Sequence, residues 1–107
     1  MSEAQVADIL RTLRREFSRA LGDQLESMVL FGSQARGQAR PESDIDVLVV
    51  VRDDSDYGDL MRRTSPIVAA LSLEYDVVIS RAFVARERFE RERSPFLLNV
   101  RREGVII

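Results

Sequence analysis

The stretch LFGSQARGQARPESDIDVLVV, Leu30 to Val50, decides how the rest of the chain is read. Its second half runs into Val51 with the unbroken apolar character of a strand covered on both faces. Yet Asp44 and Asp46 stand at the entrance to that strand, one residue apart, where desolvating two like charges is costly. Side chains alternate along a strand, so the two carboxylates share one face with Cβ atoms roughly 6.5 Å apart, while Ile45 and Val47 take the other. Two carboxylates at that separation can converge on one Mg²⁺ or bridge two ions, and the metal removes the repulsion. The plainer alternative is a strand entrance left in solvent. Just ahead, Gly32-Ser33 ends an apolar run and leads into a helical turn, the arrangement that offers backbone N–H groups and a hydroxyl to an anion.

Working outward, Ser2 with Gln5 three residues on forms a capping box, and Val6, Ile9, Leu10, Leu13 and Phe17 follow at helical spacing until Leu21-Gly22. Leu25 to Phe31 reads as a first strand, Gln38 to Ser43 as a polar loop and Asp44 to Val51 as a second, central strand. Helical spacing resumes with Leu60, Thr64, Ile67, Val68 and Leu71, and Pro66 either kinks that helix or starts a new one capped by Ser65. LEYDVVIS, Leu73 to Ser80, reads as a third strand, and Phe83 to Phe89 as a charged helix. Ser94-Pro95 opens a last helix through Phe96, Leu97 and Val100 to Gly104, and Val105 to Ile107 closes the sheet. The expected class is α/β (α+β): a mixed sheet of about four strands with helices packed on it, one domain over residues 1–107.

In that reading Asp76 interrupts the third strand, sharing a face with Glu74 and Val78, and points into the same site if strands two and three are neighbours. Three acids beside a phosphate cradle suggest metal-assisted phosphoryl or nucleotidyl transfer.

Composition narrows the chemistry further. There is no cysteine, histidine or lysine, which removes disulfides, the usual zinc ligands and the usual general base. Gly32 to Gly37 has the glycine spacing of a P-loop, but Gln38 and Ala39 stand where Lys and Ser/Thr are required. DDSDYGDL, Asp53 to Leu60, hints at a calcium loop, but Tyr57 and Thr64 occupy ligand positions, so its acids read as a solvated helix start. A net charge of −2 with 7% aromatics speaks against direct nucleic-acid binding. No apolar run approaches a membrane span and no basic leader precedes an apolar segment, so the cytoplasm is the expected location. Charge is uneven: residues 42–59 carry −6 and residues 81–103 carry +3, the latter a solvated helix surface or a face for an acidic partner.

Gly32-Ser33, ten intervening residues and then Asp44-Ile45-Asp46 make the pattern G-S-x10-D-x-D, which resembles the DNA polymerase beta-like nucleotidyltransferases. With LEYDVV and PFLLNVRREGVII, the short chain is most similar to the minimal nucleotidyltransferases, specifically the MntA-type antitoxins of HEPN/MNT toxin–antitoxin pairs. The resemblance implies that Gly32, Ser33 and Arg36 bind the nucleotide's phosphates, and that Asp44 and Asp46 hold Mg²⁺. Asp76 would complete the metal site and help activate the attacking hydroxyl. It also implies transfer of AMP from ATP to a tyrosine of a HEPN-type RNase toxin, in a hetero-oligomer with that toxin. Arg36 could equally pack the loop as an ion-pair residue. Two other readings stand beside this one: transfer to a small molecule such as an aminoglycoside, and a binding module that neutralises its partner by covering it, through the +3 segment and Val105 to Ile107.

Overall fold

In the computed structural model, residues 2–35, 37 and 44–107 are described. Ser2 and Gln5 close the expected reciprocal cap: the Ser2 N–H donates to Gln5 Oε1 at 2.9 Å and the Gln5 N–H to Ser2 Oγ at 3.2 Å. From that cap α1 runs Glu3–Leu21, burying Ile9, Leu13, Phe17 and Leu21 along one stripe. Strand β1, Leu25–Phe31, and strand β2, Ile45–Val51, pair antiparallel, with Phe31 opposite Asp46. Asp44 therefore lies one residue before the strand that the sequence assigned to it.

Helix α2, Tyr57–Tyr75, starts where Asp56 Oδ1 accepts from the Gly58 and Asp59 N–H groups, the helix start expected of that acidic stretch. It passes through Pro66 as one helix, so no new helix begins at Ser65. Proline supplies no N–H and crowds the preceding turn. Around that turn Thr64 Oγ1 donates to the Leu60 carbonyl and Ser65 Oγ to the Met61 carbonyl. Arg81 then donates to both hydroxyls, at 2.8 and 2.9 Å, tying the helix to the sheet.

The third strand differs from expectation. Leu73, Glu74 and Tyr75 are the last turn of α2, Asp76 is its C-cap at φ 51°, ψ 54°, and β3 spans Ile79–Ala85. The reason is visible in the helical spacing, which Leu60, Thr64, Val68 and Leu71 extend to Tyr75 on the core face. Leu73, an apparent strand residue, is instead 86% exposed on the helix. Asp tolerates the left-handed conformation better than most non-glycine residues, so it can end a helix there. The strand itself is half polar because β3 is an edge: Ile79 and Phe83 pack on the α1–α2 side and Val84 on the other, while Ser80 and Ala82 are exposed. Phe83 to Ala85 consequently belong to β3, and the charged helix shortens to α3, Arg86–Arg91.

Helix α4, Pro95–Glu103, begins at Ser94, whose Oγ accepts from the Leu97 N–H, and β4, Val105–Ile106, pairs antiparallel with β1. Gly104 permits that return, since a Cβ there would sit 2.5 Å from Val29 Cγ1 and from the Val100 carbonyl oxygen. The sheet order is β3-β2-β1-β4, with β2 and β3 parallel across the α2 connection. Helices α1 and α2 cover one face over Ile45, Val47, Val49 and Val51; α4 covers Leu48 and Val50 on the other. β2 thus lies between two cores, and its continuous apolar run is what both faces require.

Candidate functional site

Alternation along β2 puts Asp46 on the α4 side of the sheet, in line with Leu48 and Val50. Its neighbours on that face come from both adjacent strands: Phe31 opposite on β1 and Ser80 alongside on β3. Ser80 and Ala82 are exposed there, so the face opens toward solvent at the strand entrance. Asp44, two residues earlier and on the same face, is exposed.

The turn after β1 comes directly against this carboxylate. Gly32 has φ +77°, and a Cβ on it would lie 2.7 Å from Asp46 Oδ2. Only glycine satisfies both the backbone angle and the close approach. The sequence placed a Gly-Ser turn and an aspartate pair in one stretch; the antiparallel β1–β2 pairing is what brings them into contact.

Among the described residues the pair is electrostatically uncompensated. Burial, and secondarily the neighbouring Asp44 charge, push the Asp46 carboxyl above the ordinary carboxylate range. Among the described residues neither carboxylate has a hydrogen-bond donor or cation beside it. Two such groups with oxygen donors only, one half-buried and one exposed, fit a hard divalent cation such as Mg²⁺, which takes one or two carboxylates and keeps its remaining positions for water or phosphate.

Asp76 does not join them. It lies at the same end of the sheet, because the Ile45 N–H donates to the Val78 carbonyl at 3.0 Å, but it is exposed on the helix cap. Among the described residues no cluster of three acids is close enough to hold a metal together. Arg36 and the Gln38 to Ser43 loop lie outside the described residues. Sequence reasoning also missed Ser80, which only the β2–β3 register places beside Asp46, and a cleft at Gly32 walled by α4. No helix among the described residues is long and apolar enough to cross a membrane.

A glycine turn set against an aspartate at a strand entrance, on a mixed sheet with helices on both faces, fits a nucleotidyltransferase, and the chain belongs to the nucleotidyltransferase domain family, whose profile matches residues 10–103. Two relatives from Methanocaldococcus jannaschii bear the names "Putative protein adenylyltransferase MJ0141" and "Putative protein adenylyltransferase MJ0604". The first is 34% identical over 76 residues, 71% of this chain and 76% of the relative. The second is 35% identical over 98 residues, 87% and 92% of the two chains. A solved structure described as a "putative minimal nucleotidyltransferase" is 30% identical, covering 90% of this chain and 93% of its own, with a TM-score of 0.50. Two toxin–antitoxin structures share the fold. One, with AMP-PNP, has a TM-score of 0.56 at 20% identity over 99% of this chain and 72% of that one. The other, a mutant MntA-HpeT, has a TM-score of 0.55 at 21% identity over 94% and 69%. The chain is a nucleotidyltransferase of the minimal kind.

Proposed function

We propose that this enzyme moves AMP from ATP onto a hydroxyl of a partner protein, a tyrosine of a HEPN-type toxin, with Mg²⁺ held by Asp44 and Asp46. The observation that carries the reading is the approach of Gly32 to the Asp46 carboxylate, which sets a phosphate-accommodating turn and a cation-binding pair side by side. A cation bound there would neutralise the pair and offset the charge that develops on the transferred phosphoryl group. The residues of the chain do the positioning. Gly32 and Ser33 seat the phosphates, and Arg36 is assigned to the triphosphate. The acceptor oxygen then bonds to the α-phosphorus as the bond to pyrophosphate breaks, and the hydroxyl proton passes to a carboxylate at this end of the sheet, a role assigned to Asp76. The protein acceptor is supported by the names of the two archaeal relatives, the adenine nucleotide by the neighbour solved with AMP-PNP, and a toxin partner by the two toxin–antitoxin neighbours.

The test is to incubate the chain with ATP labelled in the α-phosphate, Mg²⁺ and its HEPN-type partner, and to map the product by mass spectrometry. One AMP on a tyrosine of the partner is expected. Label on the nucleotide pool alone, or on a small-molecule acceptor in preference to the protein, contradicts it.

A second reading, neutralisation by binding alone, draws on the far edge of the sheet. There β4 offers one free strand edge, with Ile106 76% exposed and Val105 beside it. It is supported if Asp44→Asn leaves toxin neutralisation in cells intact, and lost if neutralisation disappears with transfer.

A further inference from the structure

The cleft at Gly32 has a volume of about 210 Å³ and is lined by Phe31, Gly32, Phe96, Asn99, Val100 and Glu103. Its position follows from the sheet. Phe31 shares a face with Asp46 as its cross-strand partner, so the cleft starts where the phosphate turn ends and continues toward α4. On α4 the lining residues Phe96, Asn99, Val100 and Glu103 fall at i, i+3, i+4 and i+7, a single stripe. Val100 in that stripe belongs to the core, whereas Phe96 is 48% exposed. The Phe31 and Phe96 rings meet edge to face, centroids 5.4 Å apart and planes at 85°, which leaves a Phe96 face uncovered by its aromatic partner. An aromatic ring half-exposed at a wall that adjoins a phosphate site has the chemistry of a stacking platform for a nucleobase.

We infer that this cleft is the base-binding pocket of the nucleotide site, with Phe96 stacking on the base and Asn99 selecting adenine. The inference rests on the nucleotidyl-transfer reading above and adds the part of the nucleotide that the phosphate site leaves unspecified. Asn99 Oδ1 accepts from Arg102 at 3.0 Å, which fixes the amide, and a carbonyl oxygen has a second lone pair to offer. The carboxamide therefore presents one donor and one acceptor together. Adenine offers the matching pair, N7 or N1 as acceptor beside the N6 amino donor, whereas guanine offers two acceptors at O6 and N7. An aspartate in the same place would present acceptors only, which suits the N1–H and N2 amino donors of guanine.

The experiment measures binding of ATP, GTP, CTP, UTP and inorganic tripolyphosphate, each with Mg²⁺, to the full chain and to Phe96→Ala, Asn99→Ala and Asn99→Asp, with thermal unfolding of each variant alongside. Phe96→Ala is expected to weaken ATP by about 5- to 100-fold and leave tripolyphosphate within about twofold. Asn99→Asp, at an exposed position, is expected to lower the ratio of ATP to GTP affinity by about 10-fold or more. If ATP binds but neither variant shifts it relative to tripolyphosphate, or if the ATP to GTP ratio is unchanged in Asn99→Asp, the cleft assignment is wrong and the transfer reading stands. If the unaltered chain binds neither ATP nor tripolyphosphate, both fall.

Discussion

The two ends of β2 each carry a group of acids, and the groups behave in opposite ways. Beyond Val51 each acid from Asp53 to Asp59 has a structural partner: Asp54 meets Arg52 at 3.0 Å, Asp56 caps α2, Asp59 pairs with Arg62 and Arg63, and Asp53 accepts from the Glu87 N–H at 3.0 Å. At the entrance, Asp44 and Asp46 sit on one face without a donor among the described residues, and burial raises the Asp46 carboxyl. An acid with a cap or an arginine is stabilising the fold; an acid held against another acid is costing stability that a ligand must return. The same strand thus separates charge used for structure from charge that the proposed function assigns to chemistry.

The sharpest way to break the contrast is to remove charge at the entrance. Asp44→Asn and Asp46→Asn should each lower nucleotide transfer by at least about 100-fold, since first ligands matter more than the outer ones whose loss already costs 10- to 100-fold. Initial rates with labelled ATP check this. Gly32→Ala comes next. The added methyl must displace the Asp46 carboxylate and adopt an unfavourable φ, so transfer should fall about 10- to 100-fold with a loss of about 1–2 kcal/mol in unfolding free energy.

Asp76→Asn separates cap from chemistry, because asparagine also accepts the left-handed conformation and preserves the helix end. Unfolding should therefore stay within about 0.5 kcal/mol of the unaltered chain, while transfer falls if the carboxylate takes the hydroxyl proton. An unchanged rate removes Asp76 from the mechanism.

At the other end of the strand, Asp56→Ala should cost about 1 kcal/mol in unfolding free energy through loss of the α2 cap and leave transfer intact. The smallest effect has the opposite sign. A raised carboxyl pKa in the fold means that the stability Asp46 contributes is complete below the ordinary carboxylate range and is lost as pH rises through its elevated value. Asp46→Asn should then melt above the unaltered, metal-free chain at neutral pH, with the gain vanishing in acid. Thermal scans from acid to neutral pH in the presence of a chelator give the comparison.

Much of this was legible because short-range signals carried it. The Ser2–Gln5 box, the apolar run of β2 and the Ser94-Pro95 start each state their element within a few residues, and the G-S-x10-D-x-D spacing marks the glycine turn and the aspartate that β1–β2 pairing brings together. Asp76 and β3 were misread because LEYDVVIS has strand-like composition while its first three residues are the last turn of α2, whose core stripe runs from Leu60 to Tyr75. Strand β3 was hidden by being an edge: ISRAFVA buries little on its exposed side, and Arg81 spends its charge on the hydroxyls of α2. Ser80 and Asn99 could not be found at all without register and packing, since nothing adjacent to them in sequence points to a phosphate or a base.

The most direct measurement is a paired one on the Asp44→Asn plus Asp46→Asn chain: AMP transfer from labelled ATP in the presence of Mg²⁺, and the melting temperature of the same sample without metal. Transfer reduced to background in a protein that melts at or above the temperature of the unaltered chain is the expected result, because the pair serves a cation and not the fold. Transfer that persists in the double variant, or a folded state that weakens without the two charges, would contradict the assignment of this strand entrance as the catalytic centre.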